Sequence, residues 1–355
     1  MPTGTYSIAD LWAARFANAA EFGLNSIAET MARDVQAHNE IVQSLASDLC
    51  EFTTDRRRIY GTSSGNVMTE VDEHGRAATQ RTTTGAECGF PLRLYQFPIG
   101  WSRKYLETAT VGDLVTGVRD AQRAHFTRIR RSIQEAVYNN ANFAFTDHLR
   151  DNIPLTVRRF INADAQPIPD GPNGEVYDPA THQHYTSAVA LLVADVLAAI
   201  DNVVEHGHGG TLKLAINRAD EAAFRALVGF NPYVDPRLVF GALAAGQPTQ
   251  RLDISRLDNR AIGILGAAEV WVKSWAPQGY CFAYDASDGR KPLAYRQRTQ
   301  SGLQGLRLAA EIDTHPLLAQ YWEAEFGLGV WTRTNGAVHY FASPFGAWAT
   351  PVFAG

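Results

Sequence analysis

Cysteine and lysine are both scarce in this chain of 355 residues. The three cysteines, Cys50, Cys88 and Cys281, lie far apart and form no Cys-x-x-Cys pair. An odd number cannot be paired completely, so the sequence excludes a full disulfide framework and favours a reducing compartment. Of the 32 lysine and arginine residues only four are lysines, which leaves 28 arginines. Arginine suits fixed ion pairs at protein contacts, although a GC-rich genome would produce the same bias.

The sequence also lacks the features of membrane and exported proteins. It does not open with a basic segment followed by an apolar run, so no signal peptide is expected. The longest apolar candidate, residues 188–200, is too short to span a bilayer and contains Asp195. The net charge of −5 argues against a general nucleic-acid binder. With 45% hydrophobic and 19% charged residues, the composition is that of an ordinary globular protein with a large core.

No complete catalytic constellation is recognised either. Gly61-x-x-x-Gly65 is not followed by Lys-Ser or Lys-Thr, no G-x-G-x-x-G follows a strand, and Ser301-Gly302 lacks the first glycine of a nucleophile elbow. Nothing near Cys88 would activate it as a nucleophile. The carboxylate pairs Asp220/Glu221 and Glu323/Glu325 are interpreted as solvated side chains. The sequence therefore predicts no catalytic residue and no cofactor.

Two histidine pairs are the best candidates for metal chemistry. Alternate residues of an extended strand point the same way, so His182-x-His184 and His206-x-His208 could each offer two ligands. Glu205 is the best additional candidate. Because no ligand set of recognised spacing is attached, we favour solvated loop histidines, with His206 stabilised at a helix C-terminus, and predict no metal. A metal-dependent enzyme that uses either pair stays an alternative.

What the sequence does contain is one long amphipathic helix, predicted from Thr110 to about Ala141. Thr110 and Asp113 form a capping-box pattern at its start. Apolar residues then recur at steps of three and four, as a helical stripe requires: Val111, Leu114, Val115, Val118, Ala121, Ile129, Ile133, Ala136 and Val137. About thirty residues make a rod of roughly 45 Å, which suits a structural spine better than a compact enzyme core.

The segment before this helix is polar and cannot supply its own core. Residues 8–50 are predicted to be helical with a break at Gly23, and residues 90–101 alternate as a firm strand. Between them the chain carries three consecutive arginines, Arg56 to Arg58, and then polar alternation with a turn near Gly75. We expect a long hairpin or mobile loop that is ordered by something outside itself.

The rest of the chain is predicted to be a mixture of helices and strands. The predicted elements are a strand at 153–161, a turn-rich loop at 165–185, a helix at 186–205, a stiff aromatic loop at 230–236, strands at 262–298, a short helix or turn at 315–325, and a hairpin of 327–334 with 337–342 through Asn335-Gly336.

In this order the segments resemble the major capsid proteins of tailed phages, which have the Hong Kong 97-type fold. The closest likeness lies in residues 262–298, which contain Val270-Trp271-Val272, Ala276-Pro277-Gln278-Gly279, Tyr280-Cys281-Phe282 and Lys291-Pro292-Leu293-Ala294. The resemblance covers nearly the whole chain and implies an α+β fold. The implied parts are a helical N-terminal arm (1–51), an extended loop called the E-loop with its base strand (52–104), a peripheral (P) domain with the spine helix (105–185), an axial (A) domain (186–325), and C-terminal strands returning to the P-domain (326–355).

The resemblance also implies which residues contact other subunits. The E-loop would lie across a neighbouring subunit, with contacts from Arg56, Arg57, Arg58, Arg76 and Arg81. A loop at the centre of the capsomer would contain Phe230, Asn231, Pro232, Tyr233 and Asp235. The three consecutive arginines could instead meet nucleic-acid phosphates, which the negative net charge makes the less favoured alternative. Some members of the family join an E-loop lysine to a neighbour's asparagine. Residues 52–100 contain no lysine, so no isopeptide cross-link is predicted.

The implied function is that of a major capsid protein, which assembles into hexamers and pentamers of an icosahedral or prolate head around double-stranded DNA. A separate scaffolding protein is expected, because the chain begins at Met1 without the long extension that serves some members as a scaffold. Portal and decoration proteins are further implied partners, with DNA on the inner face bound without sequence specificity and no membrane. Assembly in the host cytoplasm and a final place in the virion capsid follow. An encapsulin-like nanocompartment shell protein of the same fold is the alternative.

Overall fold

The computed structural model describes residues 6–60, 68–80, 85–233 and 259–353. Within these ranges the helices are α1 (Ile8–Ala13), α2 (Ala19–Phe22), α3 (Leu24–Ala46), α4 (Arg103–Thr108), α5 (Val111–Tyr138), α6 (Val193–Val204) and α7 (Glu221–Arg225). The strands of the first half are β1 (Cys50–Thr53), β2 (Arg57–Tyr60), β3 (Ala86–Gly89), β4 (Arg93–Ser102), β5 (Phe143–Thr146), β6 (Pro154–Val157), β7 (Tyr185–Ser187) and β8 (Leu212–Ile216). Those of the second half are β9 (Phe230–Pro232), β10 (Asn259–Leu265), β11 (Ala268–Lys273), β12 (Tyr280–Asp285), β13 (Leu293–Gln297), β14 (Leu306–Thr314), β15 (Leu317–Val330) and β16 (Ala337–Tyr340).

The predicted spine is helix α5, and the predicted capping box closes its first turn. The Asp113 carboxylate accepts the Thr110 N–H at 2.9 Å, while the Thr110 hydroxyl accepts the Asp113 N–H at 3.3 Å. Every member of the predicted apolar stripe is buried. The helix ends at Tyr138, earlier than predicted, because Asn139 already has extended backbone angles.

The N-terminal arm consists of three helices, α1 to α3, which pack against the spine of the same chain. Gly23 adopts a φ of 112°, a conformation that favours glycine, and separates α2 from α3 as predicted. Ile27, Met31 and Val35 of α3 are buried in one core with Leu114 of α5. The partner that the apolar stripe of the arm requires is therefore intramolecular.

The first large sheet has the order β1-β13-β15-β14, and β4 also pairs with β15. The first half of β15 lies between β4 and β14, with Tyr321 opposite Pro98 on one side and Ala310 on the other. The prediction of a helix or turn at 315–325 is therefore wrong. Leu, Ala, Gln and Glu give this segment helix propensity, but pairing on both sides overrides it.

The second large sheet has the order β7-β16-β12-β8-β11-β10-β9. The predicted hairpin through Asn335-Gly336 is wrong, because β15 belongs to the first sheet and β16 to the second. The Asn335 side chain instead donates to Arg290 O at 2.9 Å and accepts the Asp285 N–H at 2.8 Å, so the segment forms a corner between the sheets. Residues 293–325 of the predicted A-domain pair in the first sheet, so the predicted boundary at 325 does not coincide with a change of sheet.

Two smaller antiparallel pairs lie outside the two large sheets, and β3 packs against β6. Strands β2 and β3 form a ribbon within the predicted E-loop, and β5 pairs with β6 after the spine. The predicted helix at 186–205 is confined to α6, which starts at Val193. In the described part of the chain no helix is both long enough and apolar enough to cross a bilayer.

Candidate functional site

The β2–β3 ribbon leads into the most exposed stretch of the described chain. Every residue from 68 to 80 is exposed, and apart from a turn closed by the Gly75 N–H on Asp72 O at 3.0 Å the stretch has no regular structure. Met68 is fully exposed, and Ile59 and Val71 are each about half exposed. A two-stranded ribbon with apolar side chains in water is marginal by itself, and such surfaces mark contacts with other molecules.

The arginines predicted to contact other subunits differ in what they touch within the chain. The Arg56 guanidinium lies 2.7 Å from Asp151 and 3.3 Å from Asp147. Arg58 stacks over the Trp331 ring at 4.7 Å. Arg57 pairs with Glu87 at 2.9 Å on the surface. Two of the three consecutive arginines thus hold the base of the ribbon, whereas Arg57 stays exposed.

Two further predicted contact residues complete this set. Arg76 is exposed in the stretch beyond the ribbon, and Arg81 lies outside the described residues. Arg57 and Arg76 are therefore the members of the predicted set whose side chains are exposed in the described chain. Their role between subunits stays a prediction.

The predicted capsomer-centre loop begins as an edge strand rather than as a loop. Phe230 to Pro232 form β9, which pairs with β10 at the end of the seven-stranded sheet. The Tyr233 hydroxyl donates to the Glu269 carboxylate at 2.6 Å, and Asp235 lies outside the described residues. The position of Phe230 to Tyr233 is thus fixed by backbone pairing at one edge of this sheet.

Three of the four paired histidines meet at one point. Residues 161–163 bond with 182–184 through the Ala163 N–H on His182 O and the His184 N–H on Ile161 O, which holds the second segment extended. His182 and His184 therefore face the same side, as expected for alternate residues of an extended segment. His206 follows the end of α6, where the Gly207 N–H caps Val204 O at 2.8 Å and Gly207 has a φ of 83°. That turn directs His206 and Glu205 toward the extended pair.

The ring nitrogens of these histidines form a nearly equilateral triangle. The Nε2 atoms of His182 and His206 are 3.1 Å apart, those of His184 and His206 3.2 Å, and those of His182 and His184 3.3 Å. Glu205 Oε1 lies 3.2 Å from His182 Nε2 and 3.8 Å from His206 Nε2. All four candidate ligand atoms are within 4.8 Å of one another. We call this group the histidine cluster.

The interpretation of these histidines as solvated loop residues is wrong. His184 is completely buried and His206 is 8% exposed. The loop at 165–185, predicted to be a surface excursion, folds back over them, and the Tyr177 ring packs 4.8 Å from His182 and 4.4 Å from His206. Burial lowers the pKa of His184 well below its ordinary value and that of His206 to about 3. Burial therefore favours the neutral form of both imidazoles.

His208 is turned away from the cluster into its own network. It is buried, its Nδ1 lies 2.7 Å from the Asp288 carboxylate, and its Nε2 lies 2.8 Å from the Thr334 hydroxyl. Residues two apart diverge here because the chain after α6 is a glycine-rich turn and not a strand. The structure therefore does not bring His206 and His208 together, whereas it does bring His182 and His184 together.

Sequence reasoning missed one carboxylate that ties the arm to the second sheet. Asp48 accepts hydrogen bonds from Lys213 at 3.2 Å, Lys273 at 3.3 Å and the Tyr284 hydroxyl at 3.2 Å. Burial alone would raise the pKa of Asp48, but Lys273 and Lys213 hold it below its ordinary value. The partners are more than 160 residues apart in sequence, so no local pattern could have found them.

No protein-family model matches the chain, and no curated protein matches it. Among solved structures, a protein of Mycobacterium phage Patience is similar with a TM-score of 0.65 and 23% identity, over 99% of this chain and 96% of that one. The Cyanophage A-1(L) capsid is similar with a TM-score of 0.50 and 16% identity, over 84% and 92%. At these identities the likeness concerns the fold. The chain has the Hong Kong 97-type fold of phage capsid proteins that its order of segments resembles.

Proposed function

We propose that this chain is the major capsid protein of a tailed phage. Its subunits assemble into hexamers and pentamers, and these close into an icosahedral or prolate head around double-stranded DNA. The capsid fold over nearly the full length supports this function. So does the division of the described chain into a long spine helix, an arm, two large sheets and a two-stranded ribbon.

The exposed stretch beyond the β2–β3 ribbon is the observation that carries the proposal. Residues 68–80 place Met68 and Val71 in water, where they gain nothing from the core of their own subunit. A neighbouring subunit that covers this stretch would bury these side chains, which stabilises the contact by about 25 cal/mol for each Å² of apolar surface removed from water. In a closed ring the ribbon of each subunit meets a different surface of the next one, which is the geometry of a cyclic assembly.

The exposed arginines fit this assembly. Arg57 and Arg76 would meet carboxylates of the neighbouring subunit, while Phe230 to Tyr233 at the sheet edge would face the centre of the ring. Without a lysine in residues 52–100, cohesion would come from buried area and ion pairs and not from an isopeptide bond. The role is structural and not enzymatic. Scaffolding, portal and decoration proteins would be partners, and packaged DNA would be contacted without sequence specificity.

Electron microscopy of the protein expressed alone and with its neighbouring genes tests the proposal. We expect closed shells, or rings of six and five subunits. The decisive variant replaces residues 61–84 with a short Gly-Ser turn, which leaves β2 and β3 intact. This variant should keep the unfolding temperature of the free subunit and should form no shell, because the described part of the removed segment, residues 68–80, is exposed.

A matched control and a composition measurement complete this test. Changing three exposed residues of the loop at 172–176, which follows the spine helix in the sequence, should leave shells intact. Shells formed without residues 61–84, or a monomer under all conditions, would contradict the proposal. Shells that hold cargo protein and no double-stranded DNA during infection would favour the encapsulin-like alternative.

A further inference from the structure

We infer that His182, His184, Glu205 and His206 form a closed four-ligand site for a zinc ion. The first reason is geometric. In tetrahedral zinc sites the bonds to histidine nitrogen are about 2.0–2.1 Å, so two such nitrogens are about 3.3–3.4 Å apart. The three distances of 3.1, 3.2 and 3.3 Å between the Nε2 atoms are close to that edge length. Glu205 Oε1, at 3.2 Å from His182 Nε2, lies beside the fourth corner.

The hydrogen bond on the far side of His184 aims its lone pair at the centre of the cluster. His184 Nδ1 lies 2.8 Å from the Gly336 carbonyl oxygen, which can only accept, so Nδ1 carries the proton and Nε2 does not. A carbonyl behind the ligating ring is the usual outer partner of a metal-bound histidine. His206 Nδ1 has no hydrogen-bond partner among the described residues, and the His206 ring packs against the tilted Tyr177 ring.

A cation at the centre of the cluster would stabilise the three imidazole nitrogens, whose lone pairs cannot all be satisfied by one another. With His184 Nε2 unprotonated, at most one or two protons can lie inside a triangle whose sides are all near 3.2 Å. Glu205 Oε1 is shielded from solvent and accepts no hydrogen bond in the described chain, although the Glu205 side chain is 33% exposed and His182 Nε2 lies 3.2 Å away. A buried carboxylate oxygen without a partner is costly, and a cation at the centre would compensate it together with the three lone pairs.

The ligand set points to zinc and to a structural role. Imidazole nitrogens with one carboxylate in tetrahedral array suit zinc, whereas calcium and magnesium prefer all-oxygen shells. Four protein ligands leave no open position for water, and an open position is what catalytic zinc sites keep. The Tyr177 ring covers His182 and His206, and its hydroxyl donates to Glu205 O at 2.8 Å, which closes the site from that side.

The site would join three segments that are distant in sequence. His182 and His184 end the turn-rich loop, Glu205 and His206 end α6, and Gly336 lies at the corner between the two sheets. A zinc ion would thus hold the loop onto the second sheet. The inference goes beyond the proposed function, because it concerns the stability of each subunit whether or not the subunits form a shell.

Metal analysis of tag-free protein, purified without chelators, tests the inference. We expect about one zinc ion per chain, since the site offers one tetrahedral set of ligands. Removal by a chelator should lower the unfolding temperature, and added zinc should restore it. Cobalt added to the stripped protein should give the intense visible bands of a tetrahedral complex. His182→Asn and Glu205→Gln should each weaken zinc binding by more than about tenfold.

Two histidine variants serve as controls for these measurements. His208→Gln changes a buried histidine two positions from a ligand, and His148→Asn changes an exposed one; both should bind zinc like the unchanged protein. Stripped protein whose unfolding temperature does not respond to zinc would overturn the inference and leave a metal-free, proton-sharing histidine triad. This readout needs no variant to fold, and it stays distinct from shell formation seen by microscopy.

Discussion

Arg296 and Asp147 form an ion pair of 2.7 Å whose side chains are 1% and 0% exposed. Arg296 lies on β13, and Asp147 directly follows β5. Arg296 also donates to Phe90 O at 2.7 Å, and Arg56 approaches the same carboxylate at 3.3 Å. One buried carboxylate therefore connects the first sheet, the base of the ribbon and the β5–β6 pair.

Removing either partner of this pair should strongly destabilise the subunit. A buried charge left without its partner costs about 3–5 kcal/mol. We expect Asp147→Leu to lower the free energy of unfolding by about 3 kcal/mol or more. Arg296→Met should cost less, about 2 kcal/mol, because Arg56 still lies 3.3 Å from the Asp147 carboxylate. The double variant should lose clearly less than the sum, because it leaves no uncompensated charge from the pair. Urea unfolding of unassembled subunits measures this cycle.

The exposed pair of Arg57 and Glu87 is the matched control for that cycle. It has a similar distance of 2.9 Å, but its side chains are 60% and 37% exposed. Arg57→Met should change the free energy of unfolding by less than about 1 kcal/mol. Equal losses for Arg57→Met and Arg296→Met would show that burial does not decide the strength of these pairs.

The Asp48 contact should anchor the end of the N-terminal arm to the second sheet. Lys273 is 7% exposed and, like Lys213, lies 4.7 Å from the Trp271 ring. Asp48→Asn leaves two neighbouring ammonium groups without their counter-charge, so we expect a loss of about 2 kcal/mol or more. Adding Lys273→Met to Asp48→Asn should recover part of it. A neutral effect of Asp48→Asn in thermal unfolding would contradict this account.

The backbone crossing at Gly327 tolerates no side chain. A Cβ atom there would lie 2.0 Å from Pro91 O and 2.7 Å from Pro91 C, and backbone atoms cannot move aside as a flexible side chain can. Gly327→Ala should therefore cost about 1–3 kcal/mol or prevent folding. Gly302→Ala, whose Cβ would meet nothing within 4 Å, should stay within about 0.5 kcal/mol in the same unfolding assay. If both variants lost a similar free energy of unfolding, the clash with the Pro91 backbone could not be the reason for the loss.

The sequence predicted those features whose cause is local. Thr110 and Asp113 are three residues apart, and the bonds between them start the spine where the pattern placed it. Gly23 separates α2 from α3, and this break depends only on the backbone angles of the glycine itself. The fold was predicted through the resemblance of the segment order to that of a known family, and not from local patterns alone.

Features that depend on distant partners were missed or misassigned. Asn335-Gly336 has the local chemistry of a hairpin, but its strands pair with β12 and β13 in different sheets. His206 was correctly singled out and then paired with His208, since only spacing was visible in the sequence. That His206 faces a pair located 22 and 24 residues earlier follows from the turn after α6, which periodicity does not encode.

The last prediction concerns a histidine pair between the arm and the spine, in which His125 is buried and His38 is half-buried. Nδ1 of His125 on α5 lies 3.1 Å from Nε2 of His38 on α3. The nearby carboxylate of Asp34 acts to raise the pKa of His38, against the larger lowering effect of burial. Burial, with a smaller effect of His38, lowers the pKa of His125 from its ordinary value of 6.5 to about 3. The unfolded chain therefore binds a proton between about pH 6.5 and pH 3 that the folded chain does not bind.

Stability should accordingly fall as the pH falls through this window, by up to about 1.4 kcal/mol per pH unit, and should not depend on His125 above it. His125→Gln removes the titrating group while an amide can still bond to His38, so the variant should flatten the slope of the free energy of unfolding against pH. His74→Gln, at an exposed position, should leave the slope unchanged. Urea unfolding at several pH values measures both. An unchanged slope in His125→Gln would assign the acid sensitivity to other groups and would refute the role given to the pair.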